Sequence, residues 1–283
     1  MSKLKKALEK AKETREQDGQ IIQKENRKFL QTKSEYLNDI AEYSTELNIS
    51  YSETKVKKVE DRILEKGKVL SLFHDVEKID QIKTLRTQIL TKLKEIGGNS
   101  ILVTSANPYE GKTFTAINLG VSISQELNRT VLILDCDLKN HGNSHKNFGK
   151  DFFGTVMEEG LSNYLLGKAE LQELLINPGI ERFVILPAGK ILPNSAEMLG
   201  SPRMEMLVSD IKRRYPEDRI VIFDSSSLLK SADPLVLTRY VDGILLVVEE
   251  EKTTTEDLKK VAELLKDKPV IGTVMNKTKS MAN

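Results

Sequence analysis

The sequence has little cysteine, no tryptophan and no excess of charge of one sign. Its 283 residues include a single cysteine, Cys136, and carry a formal net charge of +1. One cysteine excludes an internal disulfide framework and suits a reducing compartment, so we expect a cytoplasmic protein. The balanced charge favours neither a nucleic-acid partner nor an anionic membrane surface.

Long hydrophobic stretches are also missing. The longest purely apolar runs, such as residues 244–248, are far shorter than the ~20 residues that a membrane-spanning helix requires. The first residues interleave apolar and charged side chains, which is not the pattern of a signal peptide. We therefore expect a soluble, intracellular protein with no transmembrane segment of its own.

The N-terminal quarter of the chain differs in composition from the rest. It is rich in Lys, Glu, Gln and Ser and contains no sustained apolar strand. Helical spacing predicts a short amphipathic helix over 2–17, from Leu4, Ala7, Leu8 and Ala11. We predict a charged N-terminal helix and linker over 1–72 and a nucleotide-binding domain over 73–283.

Strand and helix patterns alternate through the second region. Runs rich in β-branched residues predict six strands, at 100–105, 130–135, 182–187, 219–224, 243–248 and 269–274. Helical patterns lie at 77–95, 112–127, 161–176, 196–213, 233–240 and 254–266. Near-continuous apolar strands separated by helices are typical of a mostly parallel α/β sheet with helices on both faces.

The stretch from 101 to 113 carries the strongest chemical signal. An apolar strand runs into the loop Ala106-Asn-Pro-Tyr-Glu-Gly-Lys-Thr113, and a helical pattern follows. In such a loop backbone N–H groups face phosphates, Lys112 reaches the terminal phosphates, and the Thr113 hydroxyl ligates Mg²⁺. The order of strand, loop and helix predicts a P-loop NTPase fold that uses ATP and Mg²⁺, although Ala106 stands where the strict motif has glycine.

Two further strands end in acidic residues. The strand at 130–135 ends in Asp135 and Asp137, and the strand at 219–224 ends in Asp224. Ligands of such folds bind outside the carboxyl ends of the strands, where these carboxylates can hold Mg²⁺ and accept a proton. Asp224 by itself would equally suit a strand-end cap.

Other polar residues give weaker signals. His141 and His145 have the spacing of a helical metal pair but no nearby third ligand, so we interpret them as solvated loop residues. Cys136 is expected to be a small packing residue. Asn276 either lies at the base side of an adenine pocket or ends a strand.

Three segments together resemble the nucleotide motifs of bacterial tyrosine kinases (BY-kinases) of exopolysaccharide biosynthesis. They are the phosphate loop, Leu134-Asp-Cys-Asp-Leu138 and Ile222-Phe-Asp-Ser225. Further segments similar to this family lie at 160–167, 186–189, 193–199 and 241–243. The run 110–120 and the opening 6–11 are most similar to the stand-alone autokinases associated with exosortase systems.

The resemblance implies a protein-tyrosine (auto)kinase that regulates exopolysaccharide or capsule polymerisation and export. It assigns catalysis to Lys112, Asp135 and Asp137, the pair of acids activating the incoming tyrosine hydroxyl, and it assigns Mg²⁺ to Thr113, Asp135 and Asp224. Nucleotide contacts are expected from Asn107, Tyr109, Glu110, Gly111, Lys112, Thr113, Phe114 and Asn276.

The resemblance also implies partners. A membrane-anchored polysaccharide chain-length or co-polymerase protein is expected to act as activator and to recruit the chain to the inner face of the membrane. Family members form rings through a Glu-x-x-Arg-x-x-Arg helix, whose positions here read Asp80, Lys83 and Arg86. Lys83 lacks the bidentate fork of an arginine.

The chain departs from the family pattern at four places. Tyr109 replaces a glycine, Lys139 replaces an arginine, Ser226-Ser227 replaces two prolines, and a tyrosine-rich tail is missing. Three N-terminal tyrosines close to acids are either the acceptors or scattered linker residues: Tyr36, Tyr43 and Tyr51.

Two other functions stay open at this point. A non-kinase ATPase switch of the partition type would carry an extra lysine early in the phosphate loop, and residues 106–110 contain none. A nucleotide-binding pseudokinase scaffold remains compatible with the missing tail and with the serine pair.

Overall fold

Strand order in the central sheet explains where the site lies. The computed structural model describes residues 54–73, 76–139, 148–214 and 219–279. Within these residues the sheet has eight strands in the order β1-β4-β5-β3-β6-β2-β7-β8, all parallel to their neighbours except β4 against β5. The strands are β1 Lys55–Val56, β2 Ser100–Ser105, β3 Thr130–Asp135, β4 Ile176–Asn177, β5 Phe183–Leu186, β6 Arg219–Asp224, β7 Gly243–Glu249 and β8 Val270–Asn276.

Helices cover both faces of the sheet. They are α1 Asp61–Lys66, α2 Val76–Glu95, α3 Lys112–Ser124, α4 Phe148–Phe153, α5 Leu161–Leu165, α6 Leu171–Leu174, α7 Ser195–Leu199, α8 Pro202–Arg214, α9 Asp233–Leu237 and α10 Thr255–Leu264. Alternate residues of β2 enter different cores, because Leu102 packs on one face and Ile101 and Val103 on the other. Helix α8 covers the first core and helices α2 and α3 cover the second.

The predicted α/β fold and its six strands are confirmed, with ends that differ by one or two residues. Two helices predicted as continuous, at 161–176 and 196–213, are each divided in two. In the helix predicted at 161–176, Gly167 follows α5 with a left-handed φ of 71°, which a continuing helix does not adopt. Pro202 starts α8 and cannot continue α7, because proline lacks the amide hydrogen that a continuing helix needs.

The segment 54–72 is part of the sheet domain rather than of a linker. Strand β1 pairs with β4, and Leu64 and Val69 are buried in the second core. Asn118 of α3 fixes the segment, since its side-chain Nδ2 donates to the Lys68 carbonyl at 3.0 Å and its backbone carbonyl accepts from Ser71 Oγ at 2.9 Å.

The boundary predicted at 72/73 therefore differs from the structure, in which the packed unit already includes residue 55. The few apolar residues of 54–72 bury themselves through long-range contacts that no local pattern reveals. The predicted helix over 2–17, the three N-terminal tyrosines, His141 and His145 lie outside the described residues. No helix in the described ranges combines the length and the apolar character needed to cross a bilayer.

Candidate active site

Three neighbouring strands bring the predicted motifs together. Strand β6 lies between β3 and β2, with Asp135 paired to Asp224 and Val103 paired to Asp224 in register. The loop that follows β2 therefore lies beside both acidic strand ends. This is the arrangement that the sequence predicted from the carboxyl ends of parallel strands.

The phosphate loop is held in shape by its own side chains and backbone. Gly111 adopts a left-handed conformation with φ of 98° immediately before α3 begins, and a Cβ atom there would collide with the side-chain nitrogen of Asn276. Asn276 Nδ2 donates to the Glu110 carbonyl at 2.9 Å. Tyr109 is also left-handed, with φ of 68°, and its carbonyl accepts from Lys277 Nζ at 2.7 Å.

The Glu110 side chain holds the loop in place through two hydrogen bonds. Its buried carboxylate accepts one from the backbone N–H of Asn107 at 2.8 Å and one from Thr253 Oγ1 at 2.6 Å. Asn107 in turn donates through Nδ2 to Asp257 at 3.1 Å. The loop thus has a defined conformation before any ligand binds, which lowers the entropic cost of binding.

Lys112 lies among the three carboxylates. Its Nζ is 3.5 Å from Asp137 Oδ2, and the two side chains are 14% and 30% exposed. The backbone N–H of Asp137 donates to Asp135 Oδ1 at 3.2 Å. Asp224 accepts a hydrogen bond from the Thr113 side chain. Residues from the loop and from two strand ends therefore form one connected cluster.

The cluster contains more negative than positive charge. Burial raises the pKa of Asp224 to about 7, with Asp137 adding to the rise while Lys112 and Thr113 oppose it. Burial and then the neighbouring Asp224 and Asp137 raise the pKa of Asp135 well above its usual range. Burial disfavours the Lys112 ammonium, but the three carboxylates outweigh burial and raise its pKa. One ammonium faces three carboxylates, so an additional cation would be stabilised here.

The donor atoms fit Mg²⁺. Asp224 Oδ1 and Asp137 Oδ1 are buried and have no hydrogen-bond partner. Across the described ranges no group of three or more His, Cys, Asp or Glu residues is arranged to hold a metal by itself. Mg²⁺ suits such a place, because it is usually held by one or two carboxylates together with phosphate oxygens and water. Thr113, Asp135 and Asp224 are the residues that could hold it.

The cluster forms the floor of a cavity of about 1110 Å³. This volume is slightly above the usual range of small-molecule sites, about 300–1,000 Å³, so the cavity has room for a nucleotide and part of a second substrate. Most predicted site residues line it, namely Tyr109, Gly111, Lys112, Thr113, Phe114, Asp135, Asp137, Asp224 and Asn276. Asn107 and Glu110 do not line it, because their side chains are turned into the base of the loop.

A second polar cluster stands behind the site and was not predicted. Asp233, fully buried at the start of α9, has its Oδ1 3.4 Å from Lys139 Nζ and accepts from Ser195 Oγ at 2.7 Å. Lys139 also donates to Ser231 Oγ at 3.3 Å. This cluster anchors the segment that directly follows Asp137. The only sequence signal for this cluster is Lys139, which stands where the family pattern has an arginine. That difference does not indicate that Asp233 is the partner of Lys139.

The predicted ring motif on α2 is only partly available. Asp80 and Lys83 are exposed and lie 3.8 Å apart. Arg86 instead reaches α3 and the residues after it, where Nη1 donates to the Ser122 carbonyl at 2.9 Å and Nε is 3.1 Å from Glu126 Oε1. Arg86 thus packs α2 on α3 within the chain.

Comparisons with known proteins identify related tyrosine kinases. No protein-family model matches the chain. The chain is 34% identical over 200 residues to the tyrosine-protein kinase YwqD of Bacillus subtilis, which covers 70% of this chain and 80% of YwqD. It is 30% identical over 180 residues to the tyrosine-protein kinase Wzc of Salmonella typhimurium, which covers 64% of this chain and 24% of Wzc.

The chain spans about a quarter of the length of the first curated relatives that it matches. Among solved structures, the kinase domain of the Escherichia coli tyrosine kinase Etk superposes with a TM-score of 0.65 and 23% identity. The superposition covers 83% of this chain and 94% of that domain, and it shows a shared fold.

Proposed function

The chain belongs to the family of bacterial tyrosine kinases, and on that basis we propose that it transfers the terminal phosphate of ATP to tyrosine hydroxyls. The observation that carries the proposal is the meeting of Lys112, Asp137 and Asp224 on the floor of one cavity, beside a preformed phosphate loop.

Each residue of the cluster has a role in this transfer. Mg²⁺, when bound, supplies positive charge that offsets the triphosphate. Thr113, Asp135 and Asp224 offer it oxygen ligands, and Lys112 neutralises the terminal phosphate. The tyrosine oxygen forms the new bond to phosphorus, the bond to ADP breaks, and the phenolic proton passes to Asp137. Asp137 suits this role because it is the most exposed of the three carboxylates, 30% for its side chain.

The setting of the activity follows from the family resemblance. We propose that the chain controls exopolysaccharide or capsule polymerisation and export from the cytoplasmic side of the membrane. A membrane-anchored co-polymerase partner would recruit and activate it. Ring formation through α2 would use the exposed Asp80 and Lys83, whereas Arg86 would first have to leave Glu126.

The partition-type ATPase is the weaker alternative. Its extra loop lysine is absent from residues 106–110, and the named sequence relatives are tyrosine kinases. A measurement of phosphate transfer tests the scaffold alternative, because a pseudokinase scaffold would bind nucleotide without turning it over.

Transfer of labelled phosphate tests the proposal. The purified chain is incubated with Mg²⁺ and γ-labelled ATP, and the variants Lys112→Ala and Asp137→Ala are treated in the same way. Asp210→Ala is the control, because the Asp210 carboxylate pairs with Arg213 on α8 and lies outside the cavity. We expect phosphotyrosine in the wild type and the control and a loss of at least about 100-fold in the two site variants. Free phosphate without labelled protein would indicate the ATPase switch, and nucleotide binding without turnover would indicate the scaffold.

A further inference from the structure

Tyr109 lines the cavity with a side chain that nothing in the described part of the chain binds. It is 51% exposed, and among the described residues it is the only exposed aromatic residue in the cavity wall. Within the same residues neither its ring nor its hydroxyl has a partner. Single exposed aromatic residues are common on protein surfaces, so exposure by itself assigns no role to this ring.

The backbone of Tyr109 distinguishes it from an ordinary surface residue. Its φ of 68° lies in the left-handed region, which is unfavourable for any residue that carries a Cβ atom and which glycine adopts readily. Glycine would therefore give the loop the same shape with less strain. A strained residue at a binding site points to a role for the side chain that the strain positions, and here that side chain is the ring.

Contacts from the end of β8 maintain the strained conformation. Lys277 Nζ donates to the Tyr109 carbonyl at 2.7 Å and lies 3.0 Å from Glu249 Oε2. The preceding residue, Asn276, donates through Nδ2 to the Glu110 carbonyl at 2.9 Å. Two successive carbonyls of the loop are therefore bonded to the end of β8, and the backbone that carries the Tyr109 ring is fixed.

The place of Tyr109 between two parts of the cavity indicates what its ring would meet. Lys112 and the carboxylates of the floor face the terminal phosphates, whereas Asn276, Lys277 and Thr278 line the cavity at the end of β8. Tyr109 precedes Lys112 by three residues and is bonded to Lys277. A nucleotide held by its terminal phosphates and extended toward β8 would pass this ring with its inner phosphates and its sugar.

From these observations we propose that Tyr109 is a nucleotide cover, whose ring lies over the sugar and the inner phosphates of the bound nucleotide and slows its release. The proposal rests on the proposed kinase function in that the same cavity must bind Mg–nucleotide, and it concerns how long the product ADP stays bound. A ring that removes about 50 Å² of apolar surface from water on binding slows dissociation by about an order of magnitude.

Release of labelled ADP from the full chain tests the proposal. The wild type and each variant are loaded with labelled Mg–ADP, excess unlabelled Mg–ADP is added, and rapid filtration follows the label that stays bound. Tyr109→Ala removes the ring but keeps a Cβ atom at the left-handed position, so release should be at least about fivefold faster. Tyr109→Phe keeps the ring and should release ADP within about twofold of the wild-type rate.

Tyr109→Gly separates the ring from the backbone strain, because it removes both. Its ADP release should be as fast as that of Tyr109→Ala, whereas its midpoint of urea unfolding should lie above that of Tyr109→Ala. The matched control is Glu251→Gly, which relieves a left-handed φ of 60° at an exposed residue outside the cavity. This control should release ADP at the wild-type rate.

The outcomes separate this proposal from the kinase proposal. Release from Tyr109→Ala as slow as from the wild type would overturn the cover and leave the kinase function intact, even if Tyr109→Gly releases ADP quickly, because the backbone would then set the rate. Fast release from Tyr109→Phe would also overturn it, since the hydroxyl rather than the ring would hold the nucleotide. The expected pattern of rates supports the cover even if no tyrosine becomes phosphorylated, in which case only the kinase function fails. If the wild-type chain binds no Mg–ADP, both proposals fail.

Discussion

Replacement of Asp224 by asparagine should make the ligand-free protein more stable at pH 8. The carboxyl has a pKa of about 7 in the folded protein against 3.8 as its ordinary value. Between these values the folded state holds a proton that the unfolded state has released, so stability falls as pH rises through this window. Above pH 7 the wild type keeps a buried carboxylate that repels Asp137, and Asp224→Asn removes that charge.

The size of the effect follows from the same pKa. A rise from 3.8 to about 7 corresponds to about 4 kcal/mol at pH 8. This value is an upper limit, because Lys112 loses one of the carboxylates that stabilise its charge. We therefore expect a gain of about 1–3 kcal/mol at pH 8 that shrinks as the pH falls to 5 and vanishes only below about pH 3.8, where the unfolded carboxyl is protonated too.

Urea unfolding of the full chain in EDTA, at steps from pH 5 to pH 8, measures this difference. Asp242→Asn is the matched control of opposite sign. Burial opposes ionisation of Asp242, but hydrogen bonds from Ser100 and Asn99 hold its pKa below the ordinary value of 3.8. That variant should be destabilised by an amount that is constant between pH 5 and pH 8. A pH-independent gap for Asp224→Asn, or a loss of stability at pH 8, would refute the charge assignment.

Three further substitutions test other contacts. Asn276→Ala removes the donor to the Glu110 carbonyl and should weaken Mg–ATP binding about tenfold in calorimetry, and unchanged affinity would exclude a role for this contact in shaping the loop. Asn118→Ala removes the side-chain bonds to the Lys68 carbonyl and the Ser71 backbone N–H, so it should cost about 1–3 kcal/mol in urea unfolding and speed proteolysis before residue 72, whereas an unchanged cleavage rate would show that the segment is held by other contacts. Arg86→Ala should cost about 1–3 kcal/mol, while exposed Lys83→Ala should cost at most about 0.5 kcal/mol, and equal costs would contradict the α2–α3 contact.

Local patterns predicted the fold and the floor of the site well. Strands β2, β3 and β6 are near-continuous apolar runs, and their carboxyl ends are marked by the phosphate loop, Asp135 and Asp224. Parallel pairing then brings those ends to one edge without further information. The sequence therefore located Lys112 and its three carboxylates correctly relative to one another.

Contacts between distant polar residues could not be predicted in this way. Thr253 reaches Glu110 across 143 positions, and Asn118 reaches Lys68 across 50. Neither contact is marked in the sequence by a periodic pattern or a motif, because a single hydrogen bond can join any two residues that the fold brings together. The same reason explains why 54–72 was assigned to the linker and why the partner of Lys139 was missed.

Calorimetric titration of ATP tests most directly whether the loop and the acidic strand ends form one Mg–ATP site. The wild-type chain and Asp224→Ala are each titrated with ATP in the presence of Mg²⁺ and again in EDTA. The expectation is that Mg²⁺ tightens ATP binding to the wild type at least about tenfold and that Asp224→Ala loses this gain. Equal affinity of the wild type with and without Mg²⁺, or a Mg²⁺ effect that survives in Asp224→Ala, would contradict it.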